Sequence, residues 1–410
     1  MRFDTTTQIN SPVSVIADAL DHVRSLMDMD FCYISEASED EVTFRQVSAR
    51  SQSDLVAAGR KVPLDEMFCG FIAKGEIPNV VTDTREVPVL RDLPFIQDAN
   101  VQSLISVPIY RPSGGLFGMF CCFSQTPKPN LNQRDFEVVN MFTNLASRAL
   151  HEELREVEVR NSATHAINDV IGSNAIEIHL QPIMSLSDQR PVAVEALSRF
   201  YDGRHGGPMA WFQMAQDADM KVELELEAIK TALACLPHMP ENIALSINAS
   251  PDTIISDGLL PLLVKTSPTR IILEMTEHEV ISNIGKLSLR LSEMRKQGIR
   301  LAIDDVGAGY AGLSTVLDLN ADVLKLDRGL VSNIHTDPAK QSLTKAMVHF
   351  ARETNALLIA EGIELHPEDA TLRSLGVHLG QGFIYAPPTP ALGLFNWLHD
   401  QNAKYQQIAC

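Results

Sequence analysis

RLAIDDVGAGY, residues 300–310, decides how the second half of this 410-residue chain is read. Arg300–Ile303 is a short apolar run of strand type. It ends in two adjacent carboxylates, Asp304 and Asp305, and Gly307 and Gly309 then open a loop. Similar runs stand on both sides: Ile176–Ile183, Val192–Leu197, Ile243–Ile247, Arg270–Met275, Val323–Leu326, Leu357–Ala360 and His378–Tyr385. Helical patterns separate most of them. Eight β-runs at this spacing predict a (β/α)8 barrel over residues 173–410.

Nearly every run carries a polar residue at or just after its C-terminal end. In chain order these are Gln181, Glu195 with Arg199, Asn248, Glu274 with Glu277, Asp304 with Asp305, Lys325, Glu361 and Gln381. Barrels of this kind build their active sites at that rim. A carboxylate within an apolar strand is costly to bury unless it is paired or binds a cation. Glu195, Glu274, Asp304, Asp305 and Glu361 converging on one rim would repel one another, so they need positive charge. Two divalent ions are the economical answer, and all-oxygen ligands favour Mg²⁺ or Mn²⁺. Lys325 is the lysine at the rim and is expected to orient an attacking water. Arg199 offers a bidentate phosphate contact.

Composition limits the remaining choices. Apolar residues make up 45% and charged residues 21%, which is ordinary globular usage. The 34 basic and 52 acidic residues sum to −18 with no basic face, which argues against duplex nucleic acid as a partner. No run is long and apolar enough to span a bilayer, so no membrane is expected. The start, MRFDTTTQIN, lacks the layout of a secretory signal, and the six cysteines show no metal or disulfide spacing. A reduced, cytoplasmic setting is the expectation.

Residues 1–150 read as a separate α/β domain. Val13–Met27 has a helical stripe, and Phe31–Ile34, Val42–Val47, Val80–Val81, Leu104–Tyr110 and Leu116–Phe123 read as strands. The last two form a hairpin around the turn signal Arg111-Pro-Ser-Gly-Gly115. Asn132, with Asp135 three residues on, caps a long amphipathic helix. Its charged continuation over 151–172 is expected to connect the two domains.

The motifs LQP, VEALSR, SINAS, EMTE, AIDDVGAGY, LKLD, AEGIE and GQGF occur in order between Glu177 and Pro388. In this series the chain resembles the EAL domain, the family of cyclic di-GMP phosphodiesterases. The resemblance implies a barrel whose first strand runs antiparallel and hydrolysis of cyclic di-GMP to linear pGpG with two Mg²⁺ or Mn²⁺ ions. It implies that Glu195, Asn248, Glu274 and Asp304 hold one metal, with Asp304 bridging to a second beside Asp305 and Glu361. Lys325 would bind the nucleophilic water, and Gln181, Arg199 and Gln381 would contact substrate or site waters. Glu277 would steady the loop Asp305–Leu313, including Gly307 and Gly309, which also helps form a homodimer.

The first domain resembles a GAF sensor domain through Met67-Phe-Cys-Gly-Phe71, Val81-Thr-Asp-Thr84, Ser106-Val-Pro-Ile109 and Gly115-Leu-Phe-Gly118. Its ligand is not legible. Cys69 is read as a buried core residue rather than a reactive thiol, and Cys121 and Cys122 as facing opposite sides of a strand. The leading function is thus a sensor-regulated cyclic di-GMP phosphodiesterase. The alternative is a non-catalytic cyclic di-GMP receptor or signalling scaffold.

Overall fold

Strand-forming runs pair into two separate sheets in the computed structural model of the chain, which describes residues 12–200, 206–276, 283–306 and 317–408. Two compact units, Met1–Val159 and Arg160–Cys410, contain one sheet each.

In the first unit six strands pair antiparallel: β1 (Phe31–Ala37), β2 (Glu41–Ala49), β3 (Lys61–Pro63), β4 (Val80–Val81), β5 (Ser103–Tyr110) and β6 (Leu116–Ser124). Their order is β3-β2-β1-β6-β5-β4. The expected β5–β6 hairpin forms, and its turn closes through the Arg111 N–H donating to the Gly115 carbonyl at 2.7 Å. Alternate residues of β6 serve two cores. Met119, Cys121 and Phe123 join Tyr33, Phe44 and Phe68, while Phe120 and Cys122 join Ile16, Leu20, Val139 and Ala146. Cys121 and Cys122 therefore face opposite sides as expected, and Cys69 is buried in the first of these cores. Gly118 is required where β6 crosses β1, because a Cβ there would stand 1.8 Å from the Ser35 carbonyl oxygen.

A 41-residue helix, Gln133–Ser173, follows. Asn132 Oδ1 accepts from the Arg134 N–H and Asp135 accepts from the Asn132 N–H, both at 2.9 Å. This reciprocal cap satisfies two backbone donors that the helix cannot. Its last turns bury Ile167 and Val170 in the core of the second unit.

That unit is an eight-stranded closed barrel. Its strands are β7 (Ile176–Ser185), β8 (Pro191–Phe200), β9 (Ala244–Asn248), β10 (Ile271–Thr276), β11 (Arg300–Val306), β12 (Val323–Leu326), β13 (Leu357–Ala360) and β14 (Leu379–Gly380). Neighbours from β8 to β14 are parallel, while β7 is antiparallel to both β8 and β14 and closes the ring. The two-residue β15 (Thr389–Pro390) pairs antiparallel with the outer part of β7.

Three expected runs end differently. His378–Tyr385 contributes only Leu379–Gly380 to the sheet, because Gly382 lies flat against the Ile363 backbone, where a Cβ would stand 2.1 Å from its carbonyl oxygen. Gln181 is not at a C-terminal end: β7 continues to Ser185, and antiparallel pairing sets Gln181 opposite Glu195 in mid-strand. Glu195 is likewise interior to β8, which continues to Phe200 as one arm of a long hairpin.

Side chains alternate between the barrel interior and the surrounding helices. Ile183, Ala193, Ala244, Ile272, Ala302, Val323 and Ile359 form a compact apolar layer inside the barrel. One step of two residues along each strand leads to the layer above it.

Candidate active site

Stepping up from the apolar layer gives Gln181, Glu195, Ser246, Glu274, Asp304, Lys325, Glu361 and Gln381, one from each strand direction. An entire layer of the barrel is therefore polar. Lys325 is its hub. The Nζ is 2.5 Å from Glu361 Oε1, 2.8 Å from Glu274 Oε2, 3.5 Å from Asp304 Oδ1 and 3.8 Å from Glu195 Oε2. Its side chain is 1% exposed, so this is a buried ammonium facing four carboxylates.

Other donors hold the acids in place. Gln381 Nε2 donates to Glu195 Oε2 at 2.6 Å and to Gln181 Oε1 at 3.0 Å, and Gln181 Nε2 donates to the Ala386 carbonyl at 3.1 Å. Asn248 Nδ2 donates to Glu195 Oε1 at 3.3 Å. Ser246 Oγ donates to Glu274 Oε1 at 2.5 Å. Ser246 was not among the residues singled out from sequence. The signal was present: it precedes Asn248 by two positions and so shares its face of β9. The β9 end is braced further by Glu225, which accepts from the Ser250 N–H at 2.9 Å and the Ser250 hydroxyl at 2.8 Å.

Adjacent carboxylates would point to opposite faces of a regular strand. Asp304 and Asp305 escape this through a bulge. From Ile303 to Val306 β11 takes one more residue than β12 takes from Leu324 to Leu326. Asp305 sits there at φ 60°, a left-handed conformation rare for residues other than glycine. As a result Asp304, Asp305 and Glu361 each offer an oxygen within 4.8 Å of the others.

The electrostatics follow from this crowding. Burial and the neighbouring acids push Glu274 up to about 8, although Lys325 opposes them. Burial likewise raises Glu361 to about 7, with Lys325 pulling down and Asp304 and Glu195 pushing up. Burial also raises Glu195, but Lys325, Gln381 and Asn248 outweigh it and hold that carboxyl below its usual value. For Lys325, burial favours the neutral form, yet the surrounding carboxylates win and keep its proton firmly bound. Protons on Glu274 and Glu361 near neutral pH are a sign that the ring lacks positive charge. With oxygen donors only, the set fits hard divalent cations better than zinc.

A cleft of about 490 Å³ opens beside this layer. Asn248, Glu274 and Arg199 line it together with an apolar wall of Ile178, Phe212, Ala228 and Ile229. Arg199 Nη1 donates to the Ser198 carbonyl at 2.8 Å, and the residue lines the cleft. Glu277, Gly307 and Gly309 lie outside the described residues.

Residues 163–388 match the family model of the EAL domain, and residues 11–150 match that of the GAF domain. The chain is 29% identical over 266 residues to "Probable cyclic di-GMP phosphodiesterase PdeB" of Escherichia coli K12, covering 62% of this chain and 50% of that protein. It is 28% identical over 301 residues to "Cyclic di-GMP phosphodiesterase PdeR" of the same organism, covering 70% and 41%. It thus spans half or less of the length of these curated relatives. Among solved structures, "PaMucR Phosphodiesterase, c-di-GMP complex" superimposes with a TM-score of 0.52 at 25% identity, covering 57% of this chain and 99% of that one. With its matched segment spanning the barrel and all eight rim positions, the chain belongs to the EAL domain family.

Proposed function

We propose that this chain is a cyclic di-GMP phosphodiesterase that opens the cyclic dinucleotide to linear pGpG, with its first domain regulating the reaction. One observation carries the reading: a buried lysine stands within 4 Å of Glu195, Glu274, Asp304 and Glu361, with Asp305 turned in beside them. A structural ion pair needs one carboxylate for one lysine, whereas four crowd this one. The names of the two curated relatives and of the superimposable complex support the same substrate for this chain.

In this reading Glu195, Asn248, Glu274 and Asp304 would hold one Mg²⁺ or Mn²⁺ ion, and Asp304, Asp305 and Glu361 a second. Such ions, when bound, offset the phosphate charge and lower the pKa of a bound water. The protein's own groups do the rest. Gln381 and Asn248 fix both oxygens of Glu195, and Ser246 and Lys325 fix both of Glu274, so the ligand oxygens are positioned before substrate arrives. The Lys325 ammonium donates to Glu274 and stands within ion-pair distance of Glu195, Asp304 and Glu361, so its charge is held at the centre of the layer, where it would orient the attacking water. Arg199 lines the cleft where a phosphate oxygen would pass. The water oxygen forms the new P–O bond as the P–O3′ bond breaks, and the proton that the water gives up balances the one that the leaving O3′ takes, leaving a phosphate monoester and a free 3′-hydroxyl. The homodimer expected from the family belongs to the same reading and is tested by light scattering.

The assay is incubation of the full chain with cyclic di-GMP and Mn²⁺, followed by chromatography. The expected product is pGpG, absent when the metal is chelated. Tight binding of unchanged cyclic di-GMP in the presence of Mg²⁺ or Mn²⁺ would overturn this reading in favour of the receptor.

A further inference from the structure

The opposite end of the barrel carries a second cavity, of about 660 Å³, that the reaction does not use. Its roof is the apolar layer, including Ile183, Ala193, Ala244, Ile272, Val323 and Ile359. Barrels of this architecture are ordinarily filled by successive layers of bulky branched side chains. Here three residues of the layer, Ala193, Ala244 and Ala302, are alanines, and open space lies beneath it. At 38% exposure, Leu357 stands at the cavity wall, a large apolar residue left partly uncovered.

The polar lining is one-sided. Arg190, Arg300, Arg373 and His378 face the cavity, and among the described residues no aspartate or glutamate lines it, in a chain with 52 acidic residues against 34 basic. Arg190 is paired with Asp188 at 2.6 Å, and Arg373 is paired with Asp369. Arg300 differs. Among the described residues its guanidinium has no hydrogen bond and no carboxylate within ion-pair distance, although half-buried. Burial lowers its pKa, with Asp322 acting the other way. An unpaired, partly desolvated guanidinium is costly and is relieved by an anion. His378 Nδ1 accepts the Leu358 N–H at 3.2 Å, so the neutral ring bears its proton on Nε2 and offers a further donor.

We propose that this cavity binds a small amphipathic carboxylate, its apolar body against the alanine-rich layer and its carboxylate on Arg300. The volume falls in the range of small-molecule sites. A single charge matches a single unpaired guanidinium, whereas a dianionic phosphate would bring a hydration cost that one arginine does not offset. Such an occupant would touch the layer that supports the rim. Ala193, Ile272, Val323 and Ile359 stand two positions before Glu195, Glu274, Lys325 and Glu361.

The test is calorimetric titration of the full chain with octanoate, without cyclic di-GMP, so that its outcome is independent of turnover. One molecule per chain is expected to bind. Neutral 1-octanol and inorganic phosphate should each bind at least about tenfold more weakly. Arg300→Gln should lose about tenfold in octanoate affinity, and Ala193→Leu should abolish binding by filling the space, with thermal melting reporting that each variant folds. No octanoate binding at millimolar concentration, equal binding of octanol or phosphate, or unchanged affinity in both variants would overturn the proposal. Should Arg300→Gln not fold, the octanoate–octanol comparison on the unsubstituted chain decides.

Discussion

Lys325 is the residue on which the rim balances. Its buried ammonium neutralises part of a four-carboxylate shell in which Glu274 is fully buried and Asp304 and Glu361 keep a partly exposed edge. Lys325→Met leaves those charges uncompensated, and removing one partner of a buried pair costs about 3–5 kcal/mol. Urea unfolding of the metal-free protein is expected to show a loss of that size at pH 8, with Mn²⁺ restoring part of it. An unchanged midpoint would contradict the hub. The pH dependence follows from the same groups. Glu274 titrates near 8 and Glu361 near 7, both above the ordinary carboxylate value, so the folded state binds protons that the unfolded chain has released. Their contribution to metal-free stability therefore falls as pH rises from about 4.5 through 7 and 8. A divalent cation must displace those protons. Mn²⁺ affinity should rise with pH across this window, and titrations in two buffers of different ionisation enthalpy should show proton release at pH 7. Metal binding without proton release would refute the assignment.

At the scale of elements, the bulge in β11 turns two consecutive carboxylates into one site. Asp305 at φ 60° should tolerate Asn or Gly but not a β-branched residue. Asp305→Val is expected to destabilise by about 1–2 kcal/mol, whereas Asp305→Asn keeps the fold and weakens Mn²⁺ binding. Equal melting temperatures for the Val and Asn variants would contradict the strained conformation. Gly382 has a comparable role, since a Cβ would collide with the Ile363 backbone and displace the segment carrying Gln381. These elements also show what the sequence could reveal. The acid at each strand end was legible because a charge in an apolar run is a local anomaly. The direction of β7 entered through family resemblance, because an apolar run of period two looks the same read either way. Gln181 was therefore placed at a strand end, although its partner Glu195 lies in mid-strand. Ser246 escaped because a serine in a strand is no anomaly by itself, and β3 because three residues carry no period.

On the scale of the whole molecule, each unit has its own hydrophobic core. Calorimetry should therefore resolve two transitions, with Mn²⁺ raising only that of Arg160–Cys410. At a hundredfold excess over Kd, one bound ion adds about 2.7 kcal/mol. Equal shifts of both transitions would contradict this division. None of the helices among the described residues is long and apolar enough to cross a membrane, and the five described cysteines, all buried, are unpaired. The charge of −18 is mostly a property of the outer surface, while the acids that matter are the few turned inward at one end of the barrel. The most direct measurement of what those acids do is the single-turnover rate of pGpG formation from saturating cyclic di-GMP with Mn²⁺, comparing the full chain with Glu195→Gln. Loss of one ligand to a cation that stabilises the transition state predicts a rate about a thousandfold lower with substrate still bound. Equal rates in the two proteins, or no turnover by the unsubstituted chain, would contradict it.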